Sequence, residues 1–345
     1  MIASAAVLST AAFRALLLGC RMFGAVARVA LVLAVAGCVS FSSPLVHLDA
    51  LRPASGAFTM PDGVRLPYRE WLPAGEPWAV VLALHGMNDS RDAWEIPAPA
   101  LAAAGIATIA PDQRGFGETP GRGFWPGTRA LVSDARDMAL DLRARYPRSK
   151  LILMGESMGA AVLMCLGAEP DAPQVDGYVL VAPAVWGRAE MNVVLRATLW
   201  AAARLMPGVE LSGAPVKVKA SDNREALIRL GRDPLTLRRT RIDAIKGLVD
   251  LMDAALAAAP HFHGRGLFLY GGKDELVPDR ATAATWRELP GTERRAFYPG
   301  GYHLLLRDLD RARPLGDLIA WIRDPSVPLP SGAEPAAGTW LSEQD

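Results

Sequence analysis

The segment from residue 150 to residue 166 constrains the fold of this 345-residue chain more than any other. An apolar run at 151–154 predicts a short buried strand, and residues 160–166 predict the start of a helix. Between them stands Gly155-Glu156-Ser157-Met158-Gly159, which matches the pattern G-x-S-x-G. In this setting the pattern predicts a nucleophile elbow, a strained turn that needs glycine on both sides because its backbone is crowded. The alternative is an ordinary strand–glycine–helix turn.

The same alternation of short apolar strands and helices runs through most of the chain. Apolar runs predict buried strands at residues 78–84, 107–110, 151–154, 178–182, 266–270 and 295–298, with helical patterns between them. A pair of strands at 56–60 and 64–71 flanks the turn signal Asp62-Gly63. This order is typical of an α/β protein with a mostly parallel, doubly wound sheet.

The alternation is interrupted once, at residues 185–262, which show helical stretches and no clear strand. We predict that this segment is a helical cap, so that residues 56–184 and 263–324 form the two parts of the core. The apolar faces of the cap have two open interpretations: they line an entrance for an apolar substrate, or they pack on the core. Residues 325–345, rich in Pro, Gly and Ser, predict a mobile tail.

The first 38 residues differ in composition from the rest. Residues 1–37 contain Arg14, Arg21 and Arg28 but no acidic residue, and a short apolar run follows Arg28. This pattern predicts a signal peptide. The segment ends in Val-Ala-Gly-Cys38, which resembles the bacterial lipobox, so Cys38 is the predicted lipidation site of a lipoprotein-type signal at residues 1–38. Residues 39–55 are then a linker that holds the folded domain away from a membrane surface.

These features predict a lipid-anchored protein of the bacterial cell envelope. Residues 34–36, Ala-Val-Ala, also fit ordinary secretory cleavage, which would give a soluble periplasmic protein, and an uncleaved apolar anchor is a third possibility. Removal of the signal and acylation of Cys38 leave Cys165 as the last free thiol, so no disulfide framework is expected. Cys165 is a predicted core residue. The net charge of +1 gives no strong field for nucleic acid or an acidic partner.

A serine hydroxyl becomes a good nucleophile when a base takes its proton and a carboxylate orients that base. On a sheet of this kind the three groups follow separate strands in the order serine, acid, histidine. Ser157, Asp274 and His303 stand in that order, each after a predicted strand. Alternatively, Asp274 caps a turn and Glu275 or Asp279 is the acid. His303 alone among the five histidines follows a late strand.

The negative charge of a tetrahedral intermediate requires backbone N–H donors. The predicted donors are Met158, directly after the serine, and Met87, in the loop after the strand at 78–84. His85 in that loop is expected to be a structural hydrogen-bonding residue rather than a base. The pair His261 and His263 has no cysteine or carboxylate cluster beside it, so we predict no metal site and no other cofactor.

The ordered set of motifs resembles the α/β-hydrolase superfamily, in particular its monoacylglycerol lipase and lysophospholipase branch. The residues that carry the resemblance are His85-Gly-Met87 with Ser90, Asp112-Gln-Arg-Gly-Phe-Gly117, Gly155-Glu-Ser-Met-Gly159, Gly272-Lys-Asp274 and Tyr302-His303. The resemblance implies the α/β-hydrolase fold with an inserted helical cap, and it implies that Asp112 and Arg114 organise a loop. The chain departs from the branch in having Gly-Glu-Ser where Gly-His-Ser is frequent.

The resemblance implies a serine carboxylester hydrolase that acts on a small apolar ester, such as a monoacylglycerol or a lysophospholipid, through an acyl-enzyme. An acyltransferase or thioesterase with the same triad is the second hypothesis. The third is a non-catalytic envelope protein that binds its ligand on a hydrolase scaffold. The oligomeric state is not predicted.

Overall fold

The computed structural model describes residues 49–212 and 218–344. The predicted signal peptide at 1–38, its lipidation site Cys38 and the linker up to residue 48 lie outside the described residues. Within the described ranges, no helix combines the length and the apolar character that a membrane crossing requires.

The described chain alternates strands and helices. The strands are β1 (Gly56–Thr59), β2 (Arg65–Trp71), β3 (Ala79–Leu84), β4 (Ile106–Pro111), β5 (Lys150–Glu156), β6 (Gly177–Val181), β7 (Glu210–Ser212), β8 (Arg239–Arg241), β9 (Gly266–Gly271) and β10 (Arg294–Tyr298). The helices are α1 (Ala98–Ala103), α2 (Thr128–Arg145), α3 (Met158–Gly167), α4 (Val193–Leu205), α5 (Arg224–Arg232), α6 (Ile242–Ala258), α7 (Asp279–Glu288), α8 (Ala312–Arg323) and α9 (Ala333–Glu343).

Eight of the strands form one sheet in the order β1-β2-β4-β3-β5-β6-β9-β10. The pairs β1–β2 and β2–β4 are antiparallel, and the remaining neighbours are parallel. The predicted buried strands coincide with β3, β4, β5, β6, β9 and β10 to within two residues. The prediction of a mostly parallel, doubly wound sheet is therefore confirmed.

Both faces of the sheet are covered by helices. In β3, Val80, Leu82 and Leu84 face a layer built from α2, α3, α6, α7 and α9, whereas Val81 and Ala83 face α1 and α8. Alternate residues of a strand point to opposite faces, so a strand covered on both sides needs a continuous apolar run. Because the central strands are parallel, the loops after β3, β5, β9 and β10 meet along one edge of the sheet, where such folds bind ligands.

The segment between β6 and β9 contains α4, α5, α6 and a small antiparallel pair, β7 with β8. The expectation that this segment lacks strands is wrong, because three-residue strands of mixed polarity are too short to show a two-residue period. Helix α6 buries Val249, Leu251, Met252 and Ala255 in the main core. Helix α4 has no buried residue. Packing on the core is therefore observed for α6 and, through the half-buried Leu199, for part of α4, while a substrate entrance stays a prediction.

The prediction of a mobile tail at residues 325–345 is wrong for the part that is described. Helix α9 buries Ala333, Ala337 and Trp340, which lie on one face because they are spaced four and three residues apart. The Trp340 ring stacks on Phe297 of β10, with ring centroids 4.9 Å apart and planes 15° apart. It also meets the edge of Trp286 at 5.2 Å. The apolar helix face outweighs the Pro, Gly and Ser content that favoured a mobile chain.

Candidate active site

Ser157 stands at the junction of β5 and α3 in a backbone conformation that few residues adopt. Its φ is +54° and its ψ is −112°, a region in which a side chain is strained. The main chain holds the residue there through several hydrogen bonds. The Ser157 N–H donates to the carbonyl of Val181 at 2.9 Å, and its own carbonyl accepts from Ala161 and Ala184 at 3.0 and 3.1 Å. The segment therefore has the backbone of a nucleophile elbow.

The two glycines of the motif stand where the main chain has no room for a side chain. A Cβ at Gly155 would lie 2.4 Å from the carbonyl carbon of Gly159. A Cβ at Gly159 would lie 2.4 Å from the carbonyl oxygen of Leu84, at the end of β3. The sequence-based reason for glycine on both sides of Ser157, a crowded backbone, is confirmed.

His303 and Asp274 meet at the end of the sheet. Nδ1 of His303 lies 2.7 Å from Oδ2 of Asp274, and both side chains are buried. A carboxylate only accepts, so Nδ1 carries the hydrogen and Nε2 of the neutral imidazole is left as an acceptor. This is the tautomer that a general base requires.

The three candidate acids differ in what they contact. Asp274 also caps the following turn, because its Oδ1 accepts from the N–H groups of Leu276 and Val277 at 2.8 and 2.9 Å. Both sequence-based interpretations of Asp274 therefore apply, one to each oxygen. Glu275 accepts from the N–H of Lys219, and Asp279 accepts from the N–H of Arg280. Asp274 is thus the carboxylate that the fold brings to His303.

The charges around His303 raise its pKa above that of a free histidine in water. Burial alone lowers the pKa of a histidine, but the carboxylate of Asp274 outweighs that effect, and the pKa of His303 is raised from 6.5. Glu156, the residue directly before Ser157, adds to the increase in pKa, and the Arg307 guanidinium opposes it. His303 is therefore close enough to the elbow to interact with its charges.

The loop after β3 lies against the elbow from the other side. A Cβ at Gly86 would be 3.4 Å from the Cβ of Ser157, so the peptide that leads into Met87 passes beside the serine. Met158 is the first residue of α3, and the N–H of a first helical residue has no acceptor within its helix. The two predicted donors thus belong to segments that flank Ser157.

His85 has the structural role predicted for it. Its Nδ1 lies 2.8 Å from the carbonyl oxygen of Gly86, and its Nε2 accepts from the N–H of Gln113 at 3.0 Å. Burial lowers the pKa of His85, so the ring is neutral and fixed between two loops. Both nitrogens are occupied by the main chain, which leaves the ring no base function.

The loop after β4 is organised by ion pairs, of which Arg91 with Asp112 is buried and Arg114 with Asp62 lies at the surface. Asp112 accepts from the guanidinium and the N–H of Arg91, and both side chains are buried. Arg114 binds Asp134 at 2.8 Å and Asp62 at 2.7 Å. These contacts agree with the loop-organising role that the resemblance implies for Asp112 and Arg114.

A buried ionic network beside the triad was not predicted from the sequence. The guanidinium of Arg307 donates to Oδ2 of Asp89 at 2.9 Å and to Oε1 of Glu156. One signal was present in the sequence: a glutamate inside an apolar strand must find a cation or a proton when it is buried. The pattern did not indicate which of the many arginines would serve.

Two further sequence expectations concern reactivity and metals. Cys165 packs against the main core, and burial raises the pKa of its thiol to about 12, so it is a poor nucleophile. In the ranges 49–212 and 218–344, no group of three or more His, Cys, Asp or Glu side chains is arranged to hold a metal ion.

The family model of Hydrolase_4, described as serine aminopeptidase, S33, matches residues 75–310 of the chain. The chain belongs to this family. The match spans the loop of Met87, the elbow of Ser157 and the residues Asp274 and His303. Members of the family are hydrolases, and the chain is a hydrolase of the lipase and esterase type with the α/β-hydrolase fold.

Relatives and solved structures agree with this assignment. The chain is 27% identical over 271 residues to the monoacylglycerol lipase of Mycolicibacterium smegmatis, an alignment that covers 75% of this chain and 93% of that protein. It shares the fold of the Paleococcus ferrophilus monoacylglycerol lipase, with a TM-score of 0.63, 21% identity and coverage of 74% and 98%. A soluble variant of the Saccharomyces cerevisiae monoglyceride lipase, solved with a substrate analog, has a TM-score of 0.67, 19% identity and coverage of 83% and 100%.

Proposed function

We propose that the protein is a serine carboxylester hydrolase that cleaves monoacyl lipids, such as monoacylglycerols or lysophospholipids. The observation that carries the proposal is the bond between Nδ1 of His303 and Oδ2 of Asp274, formed at the same edge of the sheet as the strained Ser157. Serine, acid and histidine come from loops after β5, β9 and β10, the order that this fold uses for a triad.

The proposed reaction has two steps. Nε2 of His303 takes the proton of Ser157 as its Oγ attacks the ester carbonyl, and Asp274 stabilises the imidazolium that forms. His303 then gives this proton to the departing alcohol, which leaves an acyl-enzyme on Ser157. In the second step His303 takes a proton from water, the hydroxide attacks the acyl carbon, and the fatty acid leaves as Ser157 recovers its hydrogen.

The oxyanion of each tetrahedral intermediate needs donors that are already in place. The N–H groups of Met87 and Met158 are the proposed pair, since Gly86 lies against Ser157 and Met158 begins α3. The N-terminus of α3 adds its positive end to the same place. Removing one such donor from an enzyme typically lowers kcat by about 10²- to 10³-fold.

The outer face of α4 supports a substrate taken from a lipid phase. Val193, Val194, Trp200 and Leu205 expose between 64% and 77% of their surface. A cluster of exposed aliphatic residues with a tryptophan, flanked by Arg196 and Arg204, is typical of a helix that lies in a lipid–water interface. The lipases similar to this chain are named for monoacylglycerol substrates, which favours the same substrate class here.

The proposed location is the bacterial cell envelope, with Cys38 lipidated and the hydrolase domain tethered by residues 39–55. The lipobox-like sequence before Cys38 supports the anchor, and a tether would keep α4 beside its substrate. The anchor would keep the domain at the membrane surface, where the exposed apolar face of α4 would contact the lipid. Metabolic labelling with an alkyne fatty acid tests this: a Cys38→Ser variant that still takes up label would exclude the anchor.

A hydrolysis panel tests the enzymatic proposal. Wild type and Ser157→Ala are compared on p-nitrophenyl esters, monoacylglycerols and lysophospholipids, and labelling by a fluorophosphonate probe is followed by intact mass. We expect one label on wild type, none on Ser157→Ala, and turnover of monoacyl lipids by wild type alone. Competing alcohols included in the assay separate hydrolysis from acyl transfer, because transfer yields a new ester. Full activity in Ser157→Ala would exclude the mechanism.

A further inference from the structure

Arg307 is a buried cation that the proposed mechanism does not use. It lies four residues after His303, in the short 3₁₀ helix Leu305–Arg307. Its guanidinium is almost completely buried and reaches two carboxylates, Asp89 and Glu156. Burial alone lowers the pKa of an arginine, but the two carboxylates reverse this and raise it, so the cation persists.

The three residues come from three of the four segments that carry the proposed catalytic groups and oxyanion donors. Asp89 lies two residues after Met87, and its N–H donates to the carbonyl of Gly86 at 3.3 Å. Glu156 is the last residue of β5 and directly precedes Ser157. Arg307 belongs to the segment of His303. The Arg307 guanidinium therefore connects the loop after β3, the elbow of Ser157 and the loop after β10 that carries His303, called the histidine loop below.

The main chain around Arg307 is fixed as well. Its N–H donates to the carbonyl of Leu304 at 2.7 Å, and its carbonyl accepts from Nδ2 of Asn223 at 2.8 Å. The N–H of Leu304 donates in turn to the carbonyl of Ala220, in the segment before α5. The histidine loop is thus held from the elbow on one side and from the cap on the other.

The network also sets the charge beside His303. Two carboxylates and one guanidinium carry a net charge of −1, the same sign as Asp274. The charged and titratable groups around the His303 segment are Asp274 after β9, Glu156 in β5, Arg307 and Asp308 in its own segment, Asp89 and His85 after β3, Lys273 after β9 and Lys219 before α5.

We propose that Asp89, Glu156 and Arg307 form a positioning network that fixes the His303 loop against the elbow of Ser157 and holds a net negative charge beside the imidazole. The inference rests on the proposed function, because it assigns these residues to the reaction of Ser157. The three act through His303 and Ser157 and are not themselves catalytic residues. Burial raises the pKa of Glu156, and the Arg307 guanidinium, which donates to its Oε1, opposes that rise.

Stability alone does not account for the network. Replacing a buried ion pair by apolar residues of similar size is often neutral or stabilising, whereas breaking it from one side is costly. An ionic cluster that joins three catalytic loops is therefore better explained by the geometry it specifies than by the energy it contributes. The matched control is another buried ion pair, Arg91 with Asp112, which organises the loop after β4.

The charge part of the proposal is tested with Glu156→Gln, against Asp112→Asn as control. Both exchange a buried carboxylate of an ion pair for its amide. The measurement is the pH dependence of kcat/KM on p-nitrophenyl butyrate, with thermal unfolding recorded for each variant. His303 must be neutral to act, so loss of the Glu156 charge moves the acidic limb to lower pH, by roughly half a unit or more. Asp112→Asn leaves the limb in place.

The variant Arg307→Lys tests whether the network positions the His303 loop. Lysine keeps the positive charge but lacks the planar guanidinium, whose nitrogens bind Asp89 and Glu156 at the same time. We expect kcat to fall roughly ten- to hundredfold at little change in KM, with the acidic limb of the pH profile unmoved. An unmoved limb in Glu156→Gln, or full kcat in a folded Arg307→Lys, overturns the corresponding part. These outcomes are distinct from failure of the proposed function, in which the wild type itself neither hydrolyses esters nor labels at Ser157.

Discussion

Replacing Asp274 by asparagine separates the two tasks of this side chain. Oδ1 accepts from the N–H groups of Leu276 and Val277, while Oδ2 accepts from Nδ1 of His303. An asparagine keeps its carbonyl oxygen toward the two N–H donors, because an amide nitrogen there would face them as a third donor. The NH₂ group then faces the imidazole and stabilises the tautomer with hydrogen on Nε2. In that tautomer His303 cannot take the proton of Ser157.

The size of the effect follows from this geometry. A wrong histidine tautomer in a serine triad lowers kcat by about 10⁴-fold, or about 5 kcal/mol of activation free energy. The turn keeps both of its hydrogen bonds in Asp274→Asn, so the change in unfolding free energy is about 1 kcal/mol. Asp274→Ala loses the turn contacts as well, each of which contributes about 1 kcal/mol, and should unfold at a lower temperature than Asp274→Asn.

The assay measures kcat and KM on p-nitrophenyl butyrate together with thermal unfolding. Asp279→Asn serves as the control, because its carboxylate accepts from the next N–H in the chain and does not reach His303. We expect wild-type kcat in the control and a loss of about 10⁴-fold in Asp274→Asn. A folded Asp274→Asn variant that keeps a tenth of the wild-type kcat would refute the assignment of Asp274 as the acid.

Three further predictions concern His303, the elbow and the C-terminal helix. The pKa of His303 is raised from 6.5, so the stability that its protonated form contributes is present below pH 6.5 and is lost as the pH rises through the raised pKa. Over the same pH range kcat/KM should increase, because neutral His303 is the active base. A pH–rate profile with its acidic limb below pH 6.5 would contradict this prediction. Gly159→Ala places a Cβ 2.4 Å from the carbonyl oxygen of Leu84 and should cost at least about 1–3 kcal/mol of unfolding free energy, with loss of fluorophosphonate labelling; wild-type labelling would contradict it. Trp340→Ala should cost about 3–5 kcal/mol in urea unfolding with kcat per folded molecule unchanged, and an unaltered midpoint would mean that α9 does not stabilise the core.

The sheet was predictable because parallel strands covered on both faces leave a strong sequence signal. The runs that became β3, β5 and β9 are continuous and apolar, and all of β3 and β9 is buried. The elbow was predictable for a related reason. Gly155 and Gly159 are required by the close approach of main-chain atoms, which allows no other residue.

Other features depend on contacts that no local pattern contains. Helix α9 has an apolar face of only three buried side chains, and its stability comes from Trp340 packing on Phe297 of β10. Composition favours a mobile chain there, and tertiary packing decides against it. The strands β7 and β8 are likewise defined by pairing with each other rather than by their own residues.

The order of the three triad residues was predicted from the sequence, but the ion pairs of Arg307 beside them were not. Ser157, Asp274 and His303 follow from the requirement that each group comes after a strand. Arg307 does not, because the guanidinium and Glu156 are 151 residues apart in the chain and Asp89 is 218 residues from Arg307. Such a partner is chosen by the fold alone.

The position of Glu156 in the sequence nevertheless indicates a role at the site. Glu156 is a buried glutamate at the end of an apolar strand, directly before the strained Ser157, and does not match its apolar surroundings. A residue that breaks a local rule at a reacting centre is expected to serve the reaction or its geometry. The same reasoning assigns Arg307 and Asp89, since the cation that compensates Glu156 lies in the histidine loop and its second carboxylate lies beside the proposed oxyanion donor Met87. Glu156 thus belongs to a network that joins the loop after β3, the elbow of Ser157 and the loop of His303.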